Sequence, residues 1–243
     1  MLIYGINPVV EALRAGRVES IRVSARGDSR LNAVIDAAKK AGVGIKRVDN
    51  GELDRASKGG VHQGVVAFVP DQESLGAEDL VTSAVGEPLI VVLDGVEDPH
   101  NVGAILRTVD AAGASGVVRQ QRHAAPLGGA TAKASAGAVS HVKIADVVNI
   151  ARTLEMLKDA GVWTVGLAGD AEKRYDQVDY TLPTALVVGA EGAGLRRLVR
   201  ERCDWLVSIP MQGHVQSLNV SVAAGVVLFE AVRQRLNKSA AGT

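Results

Sequence analysis

The chain has 243 residues, of which 47% are hydrophobic but only 3% aromatic, and its formal net charge is zero. This length suits one large domain or two small ones, and the composition predicts an aliphatic, alanine-rich core typical of α/β proteins. The single cysteine, Cys203, excludes an internal disulfide and a metal site built on several cysteines. We predict that it serves as a small buried hydrophobic residue.

Positive and negative residues are unevenly distributed along the chain. Residues 1–70 carry 11 Lys or Arg against 7 Asp or Glu, and residues 71–243 carry the compensating negative excess. An anionic partner is therefore expected on the N-terminal part. No run of about 18 apolar residues occurs, and the first residues lack the pattern of a signal peptide. We therefore expect no membrane span and a cytoplasmic location.

Residues 1–70 have the pattern of a compact α/β unit. Asn7-Pro8 resembles a capped helix start with proline at the first helical position. Apolar spacing predicts a second helix over 31–41, and short apolar runs predict strands at 20–24, 45–48 and 64–69. The polar, acidic stretch 71–87 predicts a linker that contains a short helix at 77–85.

Residues 88–238 alternate strands with helices, which predicts a parallel sheet covered by helices on both faces. The predicted strands are 89–93, 116–118, 141–144, 162–167, 186–188 and 205–209. The predicted helices are 102–112, 130–138, 150–160 with Asn149 as its cap, and a long apolar helix that starts near Ser217. Residues 239–243 are predicted to form a frayed tail.

The first polar motif is Asp-Pro-His-Asn-x-Gly-Ala-x-x-Arg at 98–107. Asn101 stands where the N-cap of the following helix is expected, and Gly103 allows another backbone to approach closely. Arg107 lies one turn beyond Gly103 on the same helix face, where a guanidinium could bind a phosphate. A solvated surface arginine is the alternative.

The second motif is Gly-Ala-Glu-Gly-Ala-Gly at 189–194, directly after an apolar strand. Loops at the carboxyl ends of strands are where α/β proteins bind ligands. The motif lacks the Lys-Ser/Thr of a P-loop and the spacing of a dinucleotide fingerprint. It could hold a nucleoside while Glu191 accepts hydrogen bonds, or it could be a plain tight turn.

The third motif, Ser217-Leu218-Asn219-Val220-Ser221, places three polar residues that cannot all face one way on a helix. One division has Ser217 as the helix cap and Asn219 directed toward a ligand. Asp204 and His214 flank Ser217 without the nucleophile elbow of a hydrolase. The five histidines show no metal-ligand spacing, so no metal site is predicted.

Each motif is a weak signal, but their order and spacing are specific. Together with Ile-Pro-Met at 209–211, they resemble the three motifs of the SpoU/TrmH group of SPOUT RNA methyltransferases. Tyr-Gly-Ile-Asn-Pro-Val at 4–9 and Val-His-Gln-Gly-Val at 61–65 resemble the N-terminal substrate-binding domain of one subgroup. That subgroup 2′-O-methylates a guanosine of 23S ribosomal RNA. The resemblance covers the chain apart from the linker and the tail.

The resemblance implies an α/β fold with two domains. Residues 88–238 would form a SPOUT parallel-sheet domain threaded into a trefoil knot, which is otherwise almost absent from proteins. Residues 1–70 would form a small RNA-binding domain like that of ribosomal proteins. The resemblance also implies S-adenosylmethionine as cofactor, 23S rRNA as partner and a homodimer through the catalytic domain. The modified guanosine is expected in the hairpin that meets the peptidyl-tRNA end.

Matching motif positions also imply the site residues. Those expected to act in catalysis are Asn101, Arg107, Glu191, Ser217 and Asn219. Those expected to bind the cofactor are Leu167, Ala168, Gly169, Gly189, Ala190, Glu191, Gly192, Ile209, Met211, Ser217, Leu218 and Asn219. The family's arginine is proposed as a general base. Because arginine is essentially always protonated, we favour binding of the substrate phosphate and orientation of the hydroxyl as the role of Arg107.

One region departs from the family pattern. Between Arg119 and Lys133, relatives commonly have a polar residue where the Gly128-Gly129 pair falls. Two glycines are expected to loosen this loop, which would lie over the RNA entrance. The departure therefore bears on which RNA is the substrate more than on catalysis.

Three other hypotheses remain open at this point. A tRNA ribose methyltransferase is a rival of the same class, disfavoured because tRNA enzymes of this group usually lack such an N-terminal domain. A non-catalytic RNA-binding assembly factor is opposed by the intact set of five catalytic positions. A nucleotide-binding enzyme with a Gly-rich phosphate loop would require that ATP binds.

Overall fold

The structure is a computed structural model that describes residues 1–26, 28–70 and 75–241. Its strands are β1 Leu2–Tyr4, β2 Ser20–Ser24, β3 Ile45–Val48, β4 Val65–Phe68, β5 Leu89–Asp94, β6 Gly116–Gln120, β7 Ile144–Val147, β8 Trp163–Leu167, β9 Lys173–Arg174, β10 Thr184–Gly189 and β11 Trp205–Ser208. Its α-helices are α1 Ile6–Arg14, α2 Asn32–Lys40, α3 Asn50–Ser57, α4 Ala77–Thr82, α5 Pro99–Ala111, α6 Gly129–Ala134, α7 Ile150–Asp159, α8 Arg197–Arg202 and α9 Val220–Ala241. Short 3₁₀ helices lie at Ser29–Leu31, Ala138–Ser140 and Tyr175–Gln177.

The contacts divide the chain into two compact units. The first consists of Met1–Glu73, Val102–Arg107 and Ala125–His141. The second consists of Ser74–Asn101, Thr108–Ala124 and Val142–Thr243. Within the described part of the chain, no helix has the length and apolar character needed to cross a membrane.

The first unit contains a four-stranded sheet in the order β1-β4-β2-β3. β4 runs antiparallel to both β1 and β2, whereas β3 pairs parallel with β2. Helix α3 packs on one face of the sheet through a cluster formed by Tyr4, Val48, Leu53 and Val66. Helix α1 contacts β1 and β4 and packs against α2. The predicted strands and the helix near 31–41 are confirmed.

One local prediction for this unit is wrong, and one helix was missed. Helix α1 begins at Ile6 rather than at a capping Asn7, because Gly5 adopts a positive φ of 94° and Gln63 Oε1 accepts the Ile6 N–H at 3.0 Å. Helix α3 was not predicted because it carries few apolar residues. Its start could have been found, since Asp49 is followed three residues later by Glu52, and the Asp49 side chain accepts the Glu52 N–H at 3.0 Å.

The Gly128-Gly129 pair makes a close backbone contact, and the expected loosening of this loop stays a prediction. A Cβ on Gly128 would lie 2.5 Å from the carbonyl oxygen of Leu2, so only glycine permits this approach to β1. Gly129 has a φ of +55°, which disfavours other residues, and it opens helix α6 beside Tyr4. The pair therefore allows a close contact within the first unit.

The second unit contains a seven-stranded sheet in the order β7-β6-β5-β10-β8-β11-β9, and all of its strand pairs are parallel. Every residue of the central strands β5 and β10 is buried, as their apolar sequences predict. One core cluster joins the sheet to α4, α7 and α8 through Leu80, Ile90, Leu154, Val187 and Val199, among others. The predicted α/β fold is confirmed, and the trefoil knot stays a prediction.

Other corrections concern polar or short elements of this unit. The strand predicted at 141–144 is β7 at Ile144–Val147, because residues 138–140 form a 3₁₀ helix and His141 and Lys143 are exposed. The strand β9 and the helix α8 were not predicted, since one has two polar residues and the other is mostly arginine and glutamate. The predicted cap of α7 is confirmed, because the Asn149 side chain accepts the Arg152 N–H at 3.1 Å. Helix α9 continues to Ala241 through much of the predicted tail, and residues 242 and 243 lie outside the described residues.

Candidate active site

Three neighbouring strands of the parallel sheet end at one cavity of the second unit. β10, β8 and β11 are hydrogen-bonded neighbours that end at Gly189, Leu167 and Ser208. Their carboxyl ends open on a cavity of about 890 Å³. The lining includes every predicted cofactor residue, namely Leu167, Ala168, Gly169, Gly189, Ala190, Glu191, Gly192, Ile209, Met211, Ser217, Leu218 and Asn219.

The lining also contains residues that were not predicted. The stretch from Gly213 to Gln216, including His214, borders the cavity because it connects the Ile-Pro-Met segment to Ser217. Its position between two predicted motifs was the signal available in the sequence. These residues are exposed, and two of them, His214 and Gln216, add polar side chains to the cavity wall.

The loop from Gly189 to Gly194 is folded tightly back on itself. The Ala190 N–H donates to the Gly194 carbonyl at 3.1 Å, and the Gly194 N–H donates to the Ala190 carbonyl at 2.8 Å. A Cβ on Gly189 would overlap the Gly194 carbonyl group and the Leu195 nitrogen. Gly192 and Gly194 have φ values of +78° and +68°. The glycines are therefore required by the shape of the loop.

Asp94, which sequence reasoning missed as a site residue, fixes the end of this loop. It is the last residue of β5 and is fully buried. Its Oδ2 accepts the Arg196 backbone N–H at 2.8 Å, and its Oδ1 accepts the Arg196 Nε–H at 2.6 Å. A buried carboxylate is stable only when it is paired in this way. An aspartate closing an otherwise apolar strand was the signal that could have identified it.

Asn101 is not the helix cap that the sequence predicted. Helix α5 begins two residues earlier at Pro99, and the Asp98 side chain caps it by accepting the His100 N–H at 3.0 Å. The buried Asn101 side chain is thus available for other partners. Its Nδ2 donates to Glu191 Oε2 at 3.1 Å, and its Oδ1 accepts from Asn219 Nδ2 at 2.9 Å.

Asn219, rather than Ser217, caps the last helix. Its Oδ1 accepts the backbone N–H of Ser221 at 2.9 Å and the Ser221 hydroxyl at 2.6 Å. The Ser221 backbone N–H can only donate, and the Glu191 carboxylate is taken as the acceptor. These two groups therefore fix the orientation of the Asn219 and Asn101 amides, which lie between them. A hydrogen-bond chain therefore runs from Ser221 through Asn219 and Asn101 to Glu191.

Two predicted catalytic residues have side chains without a hydrogen-bonding or ionic partner among the described residues. Ser217 lines the cavity, is exposed and makes no hydrogen bond with the described residues. Arg107 lies six residues after Asn101 on α5, in the segment that belongs to the first unit. Its side chain is exposed and forms no ion pair within the described part of the chain. Both side chains are free to bind a ligand.

The family was established by comparison with known families. The SpoU rRNA methylase model matches residues 88–229, and the model for an RNA 2′-O ribose methyltransferase substrate-binding domain matches residues 2–75. The chain belongs to the SpoU rRNA methylase family. The resemblance predicted from the motifs is confirmed.

Curated relatives of this SpoU chain match it over nearly its whole length. One from Pseudomonas syringae pv. tomato, named 23S rRNA (guanosine-2′-O-)-methyltransferase RlmB, is 47% identical and covers 97% of this chain and 96% of its own. A relative of the same name from Vibrio cholerae is 45% identical and covers 97% of each chain. Both matches include the N-terminal region as well as the catalytic one.

Solved structures of SpoU proteins have the same fold. The SpoU methyltransferase AviRb from Streptomyces viridochromogenes, in complex with the cofactor AdoMet, has a TM-score of 0.81 at 26% identity. That match covers 98% of this chain and 91% of the other. An RNA 2′-O ribose methyltransferase structure has a TM-score of 0.77 at 31% identity, with 97% and 89% covered.

Cys203 is not among the residues that line the cavity of this SpoU site. It packs at the edge of the core cluster, and its Sγ would lie 2.8 Å from a Cβ on Gly166. Burial raises the pKa of its thiol to about 12, which keeps it protonated. The predicted packing against the core is confirmed, although Cys203 is only partly buried. Among the described residues, no three His, Cys, Asp or Glu side chains are grouped so that they could hold a metal ion.

Proposed function

We propose that the protein transfers a methyl group from S-adenosylmethionine to the 2′-hydroxyl of a guanosine in 23S ribosomal RNA. The observation that carries this proposal is the match, over nearly the whole chain, to relatives that bear that name at 45–47% identity. The finer expectation, a guanosine in the hairpin that meets the peptidyl-tRNA end, is part of the proposal. A cytoplasmic location is also part of the proposal.

The N-terminal unit favours ribosomal RNA over tRNA as the substrate. A solved A. aeolicus TrmH/SpoU tRNA modifying enzyme matches only 66% of this chain, with a TM-score of 0.57 at 36% identity. The substrate-binding model, by contrast, matches residues 2–75 of this chain. The segment 1–70 also carries the excess of positive charge, which suits a polyanion.

The cavity of the second unit fits the cofactor. Its volume of about 890 Å³ lies in the range of roughly 300–1,000 Å³ that small-molecule sites occupy. Leu167, Ile209 and Leu218 supply apolar surface. Side chains added at Gly169 or Gly213 would project into open space, so a ligand can approach the backbone there. When bound, S-adenosylmethionine supplies an electrophilic sulfonium methyl group.

The hydrogen-bonded residues of the site position the groups around this cavity. In Asn101 and in Asn219, both the amide oxygen and the amide nitrogen form hydrogen bonds with protein groups. We therefore assign them the role of holding the Glu191 loop and the start of α9 in place. Glu191 uses only Oε2 for Asn101, which leaves Oε1 to accept a hydrogen bond from a ligand. Ser217, which is free, can donate one. Preorganised positioning of this kind can lower a reaction barrier by roughly 7–11 kcal/mol at best.

Arg107 is proposed to bind the substrate phosphate and orient the ribose hydroxyl. Its guanidinium is exposed and unpaired among the described residues, and arginine side chains are in general always protonated in proteins. A protonated group cannot accept the hydroxyl proton, so that proton passes to the substrate phosphate or another acceptor. We expect Arg107→Ala to abolish methylation while S-adenosylhomocysteine still binds. Turnover equal to that of the unchanged protein would remove Arg107 from the mechanism.

Methyl labelling tests the proposed function directly. The protein is incubated with labelled S-adenosylmethionine and unmodified 23S rRNA, and the label is mapped by mass spectrometry. Label on the ribose of one guanosine supports the proposal. Label found only on tRNA would contradict the ribosomal substrate but keep the chemistry. No transfer to either RNA, with RNA binding retained, would favour the assembly-factor hypothesis. Calorimetry that compares ATP with S-adenosylhomocysteine tests the nucleotide-binding hypothesis, which requires that ATP binds.

We further propose a homodimer formed through the catalytic domain. Helix α9 exposes Val222, Phe229 and Leu236, which are 50–64% accessible and lie seven residues apart on one face. Such an apolar stripe supports burial against a second copy. We expect a dimer by sedimentation and a monomer after Phe229→Asp. A monomer in the unchanged protein would contradict the proposal.

Mixing Arg107→Ala with Gly189→Ala subunits then tests which subunit supplies Arg107. Activity is restored only if one subunit supplies Arg107 to the cofactor cavity of the other.

A further inference from the structure

A second cavity of about 400 Å³ opens in the second unit beside the strands β6 and β7. Gln120 is the last residue of β6, Val148 and Asn149 follow β7, and the first residues of α8 close the other side. Because the sheet is parallel, these strand ends lie on the same edge as those of β8, β10 and β11. The two cavities share no lining residue.

One continuous segment, residues 189–199, connects the two cavities. Its first half, from Gly189 to Gly194, lines the larger cavity, and its second half, from Arg196 to Val199, lines the smaller one. The buried Asp94 holds the midpoint through the Arg196 backbone N–H and guanidinium. Asp94 ends β5, which lies between β6 and β10, so it anchors the segment that connects the two cavities.

The smaller cavity combines hydrogen-bonding groups, positive charge and apolar walls. Its lining has no acidic residue. The Gln120 amide is half-buried and makes no hydrogen bond with the described residues, so it can bind a ligand in both directions. Val148 is 78% exposed and Leu198 is 52% exposed, which offers apolar surface that no described element covers.

The two guanidiniums in the lining are accessible from solvent. The side chains of Arg196 and Arg197 are 52% and 76% exposed although each pairs with a carboxylate, Asp94 and Glu201 respectively. The Arg197 pair is an exposed helix pair of little energetic value, so a phosphate can replace Glu201. Three kinds of group recognise unstacked RNA nucleotides. Amides form hydrogen bonds with the edge of a base, a guanidinium binds the phosphate, and apolar or planar surfaces contact the face of the base.

We propose that this cavity is a subsite for an unstacked nucleotide of the substrate RNA that neighbours the methylated guanosine. The inference rests on the proposed function, because it takes the ligand to be the RNA whose ribose enters the larger cavity. In it, the Gln120 amide and Asn149 Nδ2 face the base edge, since Asn149 Oδ1 already accepts the Arg152 N–H. Val148 and Leu198 contact the base, and Arg197 binds the phosphate.

The test compares two arginines of one short helix in the full-length protein. Arg197 lines the cavity, whereas Arg202, at the other end of the same helix, pairs with Glu155 of α7 and lies outside both linings. Binding of a fluorescent 23S rRNA hairpin is measured by anisotropy in the presence of S-adenosylhomocysteine. We expect the double variant Gln120→Ala/Arg197→Ala to weaken RNA binding by at least about tenfold. We expect Arg202→Ala to stay within about twofold, as for a surface pair.

Two further readouts separate a binding role from a structural one. Removing a phosphate contact lowers the slope of log affinity against log salt by about 0.7–1, so Arg197→Ala but not Arg202→Ala should flatten it. S-adenosylhomocysteine affinity should be unchanged in both. Alternatively, the exposed Val148 is replaced by Cys and alkylated with a bulky maleimide, which reacts more slowly with the partly buried Cys203 because the pKa of that thiol is raised. The same treatment of Val85→Cys, at a fully exposed site away from both linings, is the control.

The outcomes distinguish this inference from the proposed function. If the unchanged protein methylates 23S rRNA but the Arg197 and Arg202 variants bind it alike, the subsite is contradicted and the function stands. If the protein labels tRNA instead, the same variants are titrated with that tRNA, and the same difference is expected. If the unchanged protein binds neither RNA, both proposals are overturned.

Discussion

Two glycine-rich segments of this protein look alike in sequence and differ in what their glycines do. Gly189–Gly194 follows a buried strand, folds back on itself and lines the cofactor cavity. Gly128-Gly129 opens helix α6 and meets the backbone of β1 within the first unit. In both segments one glycine has no room for a Cβ and another has a positive φ.

The comparison shows that paired glycines need not indicate mobility. In each segment they permit a backbone contact that a side chain would block. What separates function from packing is the adjacent space, since one loop borders a cavity of about 890 Å³ and the other borders a carbonyl oxygen. Substitutions in the two segments should therefore be similar in their cost to stability and different in their effect on ligands.

Gly189→Ala should have the largest effect. The added Cβ overlaps the backbone of Gly194 and Leu195, and overpacking of this kind costs roughly 1–3 kcal/mol. Because the displaced loop lines the cavity, S-adenosylhomocysteine should bind roughly 5- to 150-fold more weakly. Calorimetry and thermal unfolding measure the two effects. Gly213→Ala, where a Cβ meets open space, should leave the unfolding temperature unchanged. Full cofactor affinity in Gly189→Ala would remove the loop from the cofactor site.

Gly128→Ala should be comparable in stability but not in cofactor binding. The Leu2 carbonyl oxygen, 2.5 Å from the new Cβ, must move, which again costs roughly 1–3 kcal/mol. Denaturant unfolding should detect this loss, while S-adenosylhomocysteine affinity stays unchanged. Gly44→Ala is the matched control in the same unit, since its Cβ would meet nothing within 4 Å. A Gly128→Ala protein as stable as Gly44→Ala would favour the flexible-loop interpretation.

Asn101→Ala should have a smaller effect on the cofactor loop than Gly189→Ala. It removes the hydrogen bonds to Glu191 and Asn219, which together contribute about 1–2 kcal/mol when one partner is solvent-exposed. Asn219→Ala should lower the free energy of unfolding by a similar amount. In the double variant, the loss of unfolding free energy should be smaller than the sum of the two single losses by more than about 0.5 kcal/mol, since the two residues share one hydrogen bond. Additive losses would mean that the hydrogen-bond chain is not continuous.

Much of the fold could be predicted from local sequence. The fully buried β5 and β10 are apolar runs, and Asn149 caps α7 without a competing signal. Prediction failed where two signals compete, as at α5, where Asp98-Pro99 precedes Asn101 and starts the helix first. It also failed for α8, whose stability comes from packing Val199 into the core rather than from an apolar stripe.

The candidate site was less accessible to local reasoning. The motifs placed the cofactor residues only through the family resemblance, since glycine loops and polar helix starts suit many ligands. The bonds that join Asn101 to Glu191 and to Asn219 span 90 and 118 residues of sequence. No spacing rule predicts such contacts, because they depend on how parallel strands are ordered in the sheet. Asp94 was missed for the same reason, since its partner Arg196 lies 102 residues further along the chain.

Labelling of Cys203 provides the smallest and most local test of the comparison. Its thiol packs near Gly166, and burial raises its pKa from the ordinary value of 9.0 to about 12. The folded protein thus keeps the thiol protonated, and its contribution to stability is complete below pH 9 and is lost as the pH rises toward 12. At pH 8 a maleimide should react slowly with the unchanged protein. Gly189→Ala should speed the reaction because it disturbs Leu195, which also packs against Gly166. Gly128→Ala should not. If both variants increased the labelling rate of Cys203 equally, the two substitutions would be destabilising the whole protein rather than disturbing two separate contacts.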